Sequence, residues 1–353
     1  MGTVYSALKV FGFPEHAAAS TGPLLAPVHV RIKPINACNE RCWYCAYRSD
    51  HLSLGNEMDV RDKIPAAKMF EIVDDLIAMG VKAVTFSGGG EPLIYPQIAE
   101  TVRRLAAGGI KIGILTNGVA LRGDVAEAFA EHATWVRVSI DAADGETYAR
   151  SRRVPAAFFD QILDNVRNFA KMTRSAAIGF SFIVNQDNAA AVRDFCELAS
   201  RAGAHHVKVS ACVVSNDAAE NNRYHEPIFD LVNEQIGAAR KLETGSFHIL
   251  DHYHALPERF QRSYQTCPML EYLTIIGADC AVYSCQDKAY TALGTLGSIK
   301  ERRFSDFWYS PENAARIRGW DASEDCRHHC VSHAKNLLLN EFRELDAEHA
   351  VFV

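Results

Sequence analysis

Three cysteines within eight residues constrain this chain more than any other feature of its sequence. Cys38, Cys42 and Cys45 are separated by three and then by two residues. Thiolates are soft ligands that select zinc, copper(I) or iron–sulfur clusters. A structural zinc site takes four protein ligands, usually completed by a nearby pair, and the next cysteine or histidine here is His51. The spacing therefore favours an iron–sulfur cluster with one open iron, with zinc or a purely structural role as the alternative.

The overall composition is that of a globular protein with a sizeable core. The chain has 353 residues, of which 48% are hydrophobic, and a formal net charge of −6. These numbers allow one large domain and a smaller one, and without a long basic run they argue against nucleic acid as a partner. No apolar run is long enough for a membrane span and no secretion signal is visible. Ten cysteines then indicate metal ligation in a reducing, cytoplasmic compartment rather than disulfides.

From residue 28 onwards, β-rich runs alternate with helical stretches. The predicted strands are 28–33, 83–87, 110–116, 135–141, 177–184 and 206–212. The predicted helices are 66–79, 95–107, 124–131, 157–173 and 189–202, the last with Asn188 as N-cap and Gly203 as C-cap. Such alternation predicts an α/β fold with a parallel sheet and right-handed crossovers. Six βα units are fewer than the eight of a closed barrel.

The cysteine spacing, with Tyr44 directly before the last cysteine, resembles the signature of the radical S-adenosylmethionine superfamily. This resemblance implies a partial (β/α)6 TIM-type barrel, which agrees with the strand count. It also implies a [4Fe–4S] cluster on Cys38, Cys42 and Cys45 that binds S-adenosyl-L-methionine (SAM), and an electron donor such as flavodoxin or ferredoxin. In the implied reaction an electron enters the sulfonium, and a 5′-deoxyadenosyl radical then removes a hydrogen atom from the substrate.

In barrels of this kind the chemistry lies at the C-terminal ends of the strands. The run after the second predicted strand resembles the family's Gly-Gly-Glu motif, which implies contact with the methionine ammonium group; a flexible turn is the alternative. This run consists of Ser87, Gly88, Gly89, Gly90 and Glu91.

Polar residues follow the later strands as well. Asn117 follows the third strand, either as a cofactor contact or as part of an Asn-Gly turn. Ser139 and Asp141 share one side of the fourth strand and suit the ribose hydroxyls, although Asp141 is equally a helix N-cap. Arg152 resembles the family arginine that pairs with the methionine carboxylate, and Asn185 ends the fifth strand within reach of the cofactor.

The C-terminal third holds five of the ten cysteines. Residues 273–285 predict a hairpin with its turn near 278–280, and a later pair of cysteines precedes a helix through 337–345. This pattern resembles the "twitch" form of the SPASM domain, a small α+β unit, and implies an auxiliary [4Fe–4S] cluster. Its ligands would be Cys267, Cys285, Cys326 and Cys330. A zinc site is the alternative, because four thiolates satisfy zinc equally well.

The remaining features fit this organisation. We predict an N-terminal extension (1–27), a partial barrel (28–215), a bridging helix (216–245) and a twitch-like domain (246–353). Cys280 is a turn residue, an alternative ligand or a functional thiol, and Cys212 is a weaker catalytic candidate. The run His252, Tyr253 and His254 is expected on a loop surface, with a cavity wall as the alternative.

The sequence thus predicts a radical SAM oxidoreductase. An auxiliary cluster without an open iron suits one-electron transfer, which favours dehydrogenation of an alcohol such as a sugar or cyclitol, as in the aminocyclitol dehydrogenases of the twitch form. A radical epimerase, with Cys280 or Cys212 returning the hydrogen atom, is one alternative. A ribosomal-peptide-modifying maturase is another, although 27 residues are too few for a peptide-recognition domain. A zinc-binding interaction protein is the non-catalytic alternative. The substrate is a small molecule or a peptide.

Overall fold

A computed structural model describes residues 5–18, 22–49, 52, 54–253, 260, 262–326, 329–346, 348–349 and 352. Within them, ten strands form one sheet. The strands are β1 (His29–Ile32), β2 (Ala83–Phe86), β3 (Lys111–Thr116), β4 (Ala133–Ser139), β5 (Ala177–Val184), β6 (His206–Ala211), β7 (His248–His252), β8 (Leu273–Ile276), β9 (Ala281–Tyr283) and β10 (Thr295–Ser298).

The sheet runs in the order β10-β9-β8-β1-β2-β3-β4-β5-β6-β7. Strands β1 to β7 are parallel and neighbour one another in chain order, and β8 pairs in parallel with the other edge of β1. Strands β8, β9 and β10 form an antiparallel meander. All six predicted strands are present, with ends within two residues of those expected. Strand β7 was not predicted, because its short sequence lacks a run of β-branched or aromatic residues.

Helices connect the parallel strands and cover the outside of the sheet. They are α1 (Pro14–Ala17), α2 (Ala66–Ala78), α3 (Ile98–Ala107), α4 (Gly123–His132), α5 (Gly145–Arg152), α6 (Ala157–Met172), α7 (Val192–Arg201), α8 (Ala218–His225), α9 (Phe229–Arg240), α10 (Met269–Tyr272), α11 (Phe304–Trp308), α12 (Pro311–Arg318), α13 (Ala322–Asp325) and α14 (His333–Arg343). Short 3-10 helices lie at Ala7–Gly12, Pro92–Ile94, Ala189–Ala191, Glu226–Ile228 and Gln286–Lys288. None of the helices in the described ranges has the length and apolar character needed to cross a membrane.

Two residues were predicted to cap α7, the helix before β6, and their conformations and contacts differ. Gly203 follows α7 with φ of 89°, the left-handed conformation expected of a C-terminal glycine. Asn188 occupies the N-cap position of the 3-10 helix Ala189–Ala191 that leads into α7, as predicted, but its side chain makes no capping hydrogen bond. Its side chain accepts a hydrogen bond from the Asn185 amide and donates to the carbonyl oxygens of Asp141 and Ile183, so it ties the end of β5 to the loop after β4.

The interior of the barrel is filled at the N-terminal ends of the strands. A Cβ atom on Gly113 would lie 2.2 Å from the Trp135 ring, and one on Gly179 would lie 2.2 Å from the His206 ring. Glycine at these two positions therefore makes room for both rings. Tyr5 closes the same region, because its hydroxyl lies 3.1 Å from His206 Nε2 and accepts from Arg137. The remaining interior space lies at the C-terminal ends.

The C-terminal segment is joined to the barrel by backbone pairing and by a buried carboxylate. Asp75 of α2 is 3% exposed and accepts hydrogen bonds from the Phe304 amide, at 2.9 Å, and from Arg303 Nε, at 2.7 Å. The side chain thus caps the first turn of α11 across the interface. With β8 paired to β1, residues 273–308 pack on the barrel as part of the same sheet, and the predicted domain boundary at residue 246 stays a prediction.

We expect Asp75→Ala to lower the free energy of unfolding by about 2–3 kcal/mol, because it leaves buried amide donors without an acceptor. Urea unfolding followed by circular dichroism measures this change. Asp74→Ala is the matched control, since Asp74 is exposed on the same helix. Equal effects of the two substitutions would show that the cap does not stabilise the junction.

Candidate functional site

The C-terminal ends of the parallel strands surround a cavity of about 470 Å³. This volume lies within the range of about 300–1,000 Å³ that is common for small-molecule sites. Cys38, Cys42 and Cys45 all lie in its wall. Of the residues predicted to bind the cofactor, all except Asn185 line it, namely Tyr44, Ser87, Gly88, Gly89, Gly90, Glu91, Asn117, Ser139, Asp141 and Arg152.

The glycine run packs against the start of the cysteine loop. A Cβ atom on Gly89 would lie 2.2 Å from Asn36 Oδ1, and one on Gly90 would lie 1.8 Å from the Ala37 carbonyl oxygen. The amide of Glu91 donates to that same carbonyl, at 2.9 Å. The glycines are therefore needed for close contact with the chain itself, and this contact positions the cysteine loop directly after Ala37.

The Glu91 carboxylate joins the ends of two strands. It is 3% exposed, and it accepts hydrogen bonds from Thr116 Oγ1 at 2.6 Å, from the Asn117 amide at 2.8 Å and from the Leu93 amide at 2.9 Å. Burial raises the pKa of Glu91 to about 7, and the hydrogen bonds partly offset this shift. The group thus titrates near neutral pH and has its oxygens occupied by the protein.

Arg152 joins two buried carboxylates beside the cysteine loop. Its Nη1 lies 2.9 Å from Glu40 Oε2, and its Nη2 lies 2.5 Å from Asp141 Oδ2. Tyr44 donates a hydrogen bond to the same Asp141 oxygen, and Tyr148 donates to Glu40 Oε1 at 2.5 Å. All three charged side chains are at most 5% exposed. This network fixes Tyr44, and hence the last turn of the cysteine loop, against the ends of β4 and α5.

Asp141, which follows β4, and Asn185, which follows β5, are both held by contacts within the protein. Asp141 Oδ1 accepts from the Ile183 amide at 2.7 Å, so the carboxylate of Asp141 spans β4 and β5 rather than capping a helix. Asn185 is buried, lies outside the cavity wall, and its Oδ1 accepts from the Asp187 amide. Its placement therefore gives no support to a cofactor contact.

The cavity wall retains polar atoms without protein partners. Ser87 Oγ, Arg48 Nε and Arg152 Nε are buried without a hydrogen-bond partner. Buried polar groups are normally satisfied, so these atoms fit a polar ligand such as SAM. Burial also raises the pKa of Cys38 to about 11 and of Cys42 to about 12. A metal bound to the thiolates offsets that burial cost, so the donor set fits an iron–sulfur cluster.

A second, enclosed cavity lies in the C-terminal segment. Its wall contains Cys267, Cys285, Cys326 and Cys330, the four cysteines predicted as auxiliary ligands. These four residues come from three separate parts of the chain: the turn before α10, the end of the β8–β9 hairpin, and the segment between α13 and α14. The space between them is small, about 30 Å³.

Donors reach two of these sulfur atoms. Asn336 Nδ2 lies 3.2 Å from Cys267 Sγ, and Trp320 Nε1 lies 3.5 Å from Cys326 Sγ. Burial raises the pKa of Cys267 to about 12. Within the described residues, no three His, Cys, Asp or Glu side chains are arranged to hold a single metal ion. Soft thiolate donors with N–H groups aimed at sulfur fit an iron–sulfur site.

Adjacent residues of the C-terminal segment line different cavities. Cys285 faces the second cavity, whereas Gln286 faces the first. Cys330 likewise lines the second cavity, and Val331 lines the first. The Val331 amide is held by Asp287 Oδ2 at 3.0 Å. The wall between the two cavities is therefore as thin as one peptide unit at two places.

The other candidate thiols are placed apart. Cys212 lies in the wall of the first cavity, and burial raises its pKa to about 12. Cys280 adopts φ of 61° in the β8–β9 turn, is 4% exposed, and lines neither cavity. Its position is that of a packed turn residue. Cys196 is buried in α7 among hydrophobic residues, as expected of a small apolar side chain.

The run from His252 differs from the expected surface loop. His252 ends β7 and lies in the wall of the first cavity, and Tyr253 is buried with its hydroxyl 3.2 Å from His225 Nδ1. The alternative prediction, that this run lines a cavity, therefore holds for His252. His254 lies outside the described residues.

Sequence reasoning missed several residues of the site. Glu40 lies between the first two cysteines, and its position inside the motif was the available signal. Lys33 and Arg31 alternate on a predicted strand, which was a signal that they face the barrel interior. Gln286 and Asn336 carry no local signal, because their roles depend on contacts distant in sequence.

The sequence profile described as the Radical SAM superfamily matches residues 32–199, the part of the chain that carries the first cysteine loop and strands β2 to β5. Together with the geometry of the cavity, this match identifies residues 32–199 as a radical SAM domain.

Curated relatives are similar over part of the chain. Mycofactocin maturase MftC of Mycobacterium tuberculosis is 30% identical over 180 residues, which is 51% of this chain and 43% of that protein. GTP 3′,8-cyclase of Chlorobaculum tepidum is 33% identical over 127 residues, which is 35% of this chain and 36% of that protein. The chain thus spans less than half the length of these two relatives.

Solved structures are similar over most of the chain. SuiB of Streptococcus suis has a TM-score of 0.60 at 16% identity. The alignment covers 92% of this chain and 76% of SuiB. The protein anSMEcpe with bound AdoMet has a TM-score of 0.56 at 15% identity. The alignment covers 90% of this chain and 97% of anSMEcpe. At such identities the likeness concerns the fold, and it confirms the predicted α/β partial barrel.

We expect Arg152→Met to lower the free energy of unfolding by about 3–5 kcal/mol, because it leaves two buried carboxylates without a cation. Arg150→Met on the exposed side of the same helix is the matched control. Urea unfolding of both variants, without added SAM, measures the difference. An Arg152→Met protein as stable as the control would contradict the network.

We expect Glu91→Gln to change how stability depends on pH. The pKa of Glu91 is raised in the folded protein, from 4.5 to about 7. Its contribution to stability is therefore fully present below about pH 4.5 and is lost as the pH rises through about 7, a change of roughly 3 kcal/mol at most.

Thermal unfolding between pH 4.5 and 7.5 tests this expectation. The melting temperature of the wild type should fall relative to that of Glu91→Gln as the pH rises. Glu127→Gln, an exposed change of the same kind on α4, should follow the wild type. Parallel pH curves for Glu91→Gln and the wild type would contradict a raised pKa.

Proposed function

We propose that this protein is a radical SAM oxidoreductase with two [4Fe–4S] clusters, one on Cys38, Cys42 and Cys45 and an auxiliary one on Cys267, Cys285, Cys326 and Cys330. The observation that carries the proposal is the convergence of the last four cysteines on one enclosed space, separated from the first cavity by single peptide units. The division into an extension, a barrel, a bridging helix and a twitch-like domain is part of the same proposal.

When bound, the first cluster and SAM supply the abstraction of a hydrogen atom, and the second cluster supplies one-electron transfer. The protein positions the reactants and excludes water. Arg152, oriented by its contact with Asp141 at 2.5 Å, would bind a polar group of SAM through its partnerless Nε, and Ser87 Oγ offers a further hydrogen bond. The thin wall between the cavities brings the substrate space next to the auxiliary thiols.

The substrate would lie at the end of the first cavity opposite the cysteine loop. Side chains of β6, β7 and the C-terminal segment line this end, among them Lys208, Ser210, His252 and Gln286. Such a polar wall suits a hydroxylated small molecule, which is consistent with dehydrogenation of an alcohol. An external electron donor such as flavodoxin or ferredoxin would reduce the first cluster.

A small-molecule epimerase is the second candidate. The observation in its favour is the position of Cys212, a buried thiol in the wall of the cavity. A thiol there would return a hydrogen atom to the substrate radical. In that case Cys212→Ala would release dehydrogenated or unchanged substrate while both clusters remain bound.

A peptide-modifying maturase is favoured by a different observation, the 30% identity to a protein named mycofactocin maturase. For the C-terminal cysteines, a zinc ion is the alternative to a cluster, because four thiolates satisfy zinc equally well. Both alternatives predict results that differ from those of the two-cluster oxidoreductase.

The deciding experiment measures iron, sulfide and zinc per chain after anaerobic reconstitution. The wild type should bind about eight irons, and the Cys38/Cys42/Cys45→Ala variant should keep about four. The complementary Cys267/Cys285/Cys326/Cys330→Ala variant should also keep about four. Cys196→Ala, which removes a buried thiol outside both sites, is the control and should keep all of them.

About four irons in the wild type, with zinc in the remaining site, would overturn the auxiliary cluster and with it the oxidoreductase proposal. Binding of a leader-like peptide to the reconstituted protein would instead support the maturase.

A further inference from the structure

Lys33 is a buried cation at the junction of three segments of the site. It directly follows β1 and is 0% exposed. Its Nζ donates to Tyr47 Oη at 2.7 Å and to the Gly88 carbonyl oxygen, and it lies 4.2 Å from the centre of the Tyr47 ring. Tyr47 stands two residues after Cys45, so Lys33 connects the cysteine loop to the glycine run.

Tyr47 extends this connection to the second cysteine site. Its hydroxyl donates to the Gln286 carbonyl oxygen at 3.3 Å and accepts from Gln286 Nε2. Gln286 directly follows Cys285. A continuous set of hydrogen bonds therefore runs from Lys33 to the residue next to an auxiliary ligand.

Arg31, on β1 and two residues before Lys33, is a second cation of this region and is half-buried, with its Nε inside. Its Nη1 donates to Gln286 Oε1 at 3.0 Å, and its Nε has no partner. In the described part of the chain, neither Arg31 nor Lys33 forms an ion pair with a carboxylate. Asp287 attracts both cations from beyond contact distance, and Arg137 repels Arg31.

A buried cation without an ion pair is costly, at several kcal/mol. Burial lowers the pKa of both side chains. The groups that act in the opposite direction include Cys45 on Lys33 and Cys285 on Arg31. Lys33 contacts Tyr47, two residues after Cys45. Arg31 contacts Gln286, next to Cys285. Negative charge at the two cysteine sites would therefore compensate these cations.

We propose that Lys33 and Arg31 tune the two clusters electrostatically: their positive charges raise the reduction potential of the Cys38–Cys45 cluster and of the auxiliary cluster, respectively. This inference rests on the proposed function. Reduction adds one electron to a cluster and no proton, so a nearby cation stabilises the reduced state more than the oxidised state. Charge and hydrogen bonding around a cluster are established determinants of its potential.

The test is a redox titration of the reconstituted protein, followed by electron paramagnetic resonance without substrate. The signal that changes when SAM is added belongs to the first cluster. In Lys33→Met, the ratio of reduced to oxidised first cluster at a fixed potential should fall at least tenfold, which corresponds to about 59 mV for one electron. In Arg31→Gln, the larger fall should concern the auxiliary cluster.

Lys111→Met is the matched control, since Lys111 is an exposed residue of β3, and it should change neither ratio. Tyr47→Phe keeps both charges and removes the three hydrogen bonds of the hydroxyl, to Lys33 and Gln286, so its effect should be smaller than that of Lys33→Met. Unchanged ratios in Lys33→Met and Arg31→Gln with both clusters bound would overturn the inference. An effect of Tyr47→Phe as large as that of Lys33→Met would also overturn it, because packing rather than charge would then be responsible.

If Lys33→Met binds less iron than the wild type, Lys33→Arg separates charge from packing. Retention of iron in Lys33→Arg supports a charge role, and loss in both variants contradicts it. Failure of the wild type itself to bind a cluster would refute the proposed function instead, so the two failures are distinguishable.

Discussion

The arrangement of both cysteine sites depends on backbone pairing at the two edges of β1. Strand β1 pairs with β2 on one side and with β8 on the other, in parallel and in register over four residues. The chain leaves β1 directly into the first cysteine loop. Strand β8 leads through a tight hairpin to Cys285. Because β9 runs antiparallel to β8, Cys285 lies level with the start of β8, and Cys267 precedes that strand. The second cysteine site therefore flanks the start of β8, whereas the first follows the C-terminal end of β1, its parallel neighbour.

The charges of the site are separated along the cavity. The carboxylates of Glu40, Glu91 and Asp141 lie near the cysteine loop, and each is occupied by protein donors. The cations Lys33 and Arg31 lie between the two cysteine sites and have only neutral acceptors within hydrogen-bonding distance. Because a buried carboxylate is stable only when it is hydrogen-bonded or paired, the first group is built for rigidity without any ligand. The second group reaches charge balance only when negative charge is added beside it.

Much of this organisation followed from local sequence, and the rest depended on distant contacts. The cysteine loop and the six strands were predictable because spacing and alternation are local signals. The pairing of β1 with β8 was not, since it joins opposite ends of the chain. The glycine run was expected to approach a ligand, and its packing on Asn36 and Ala37 required the position of the neighbouring strand. Glu40 and Lys33 stood inside recognised segments, but their partners could be identified only once the strands had been brought together.

The residues that the superfamily profile matches line one part of the first cavity, and residues outside the profile line another. The superfamily profile covers residues 32–199, which supply the cysteine loop, the glycine run and the Arg152 network. The opposite wall comes from β6, β7 and the C-terminal segment, beyond the profile. SuiB shares the fold over 92% of this chain at 16% identity, so this architecture tolerates nearly complete sequence change. We therefore expect cofactor binding to depend on the residues that the profile matches. We expect the choice of substrate to depend on side chains outside the profile, such as Lys208, His252 and Gln286.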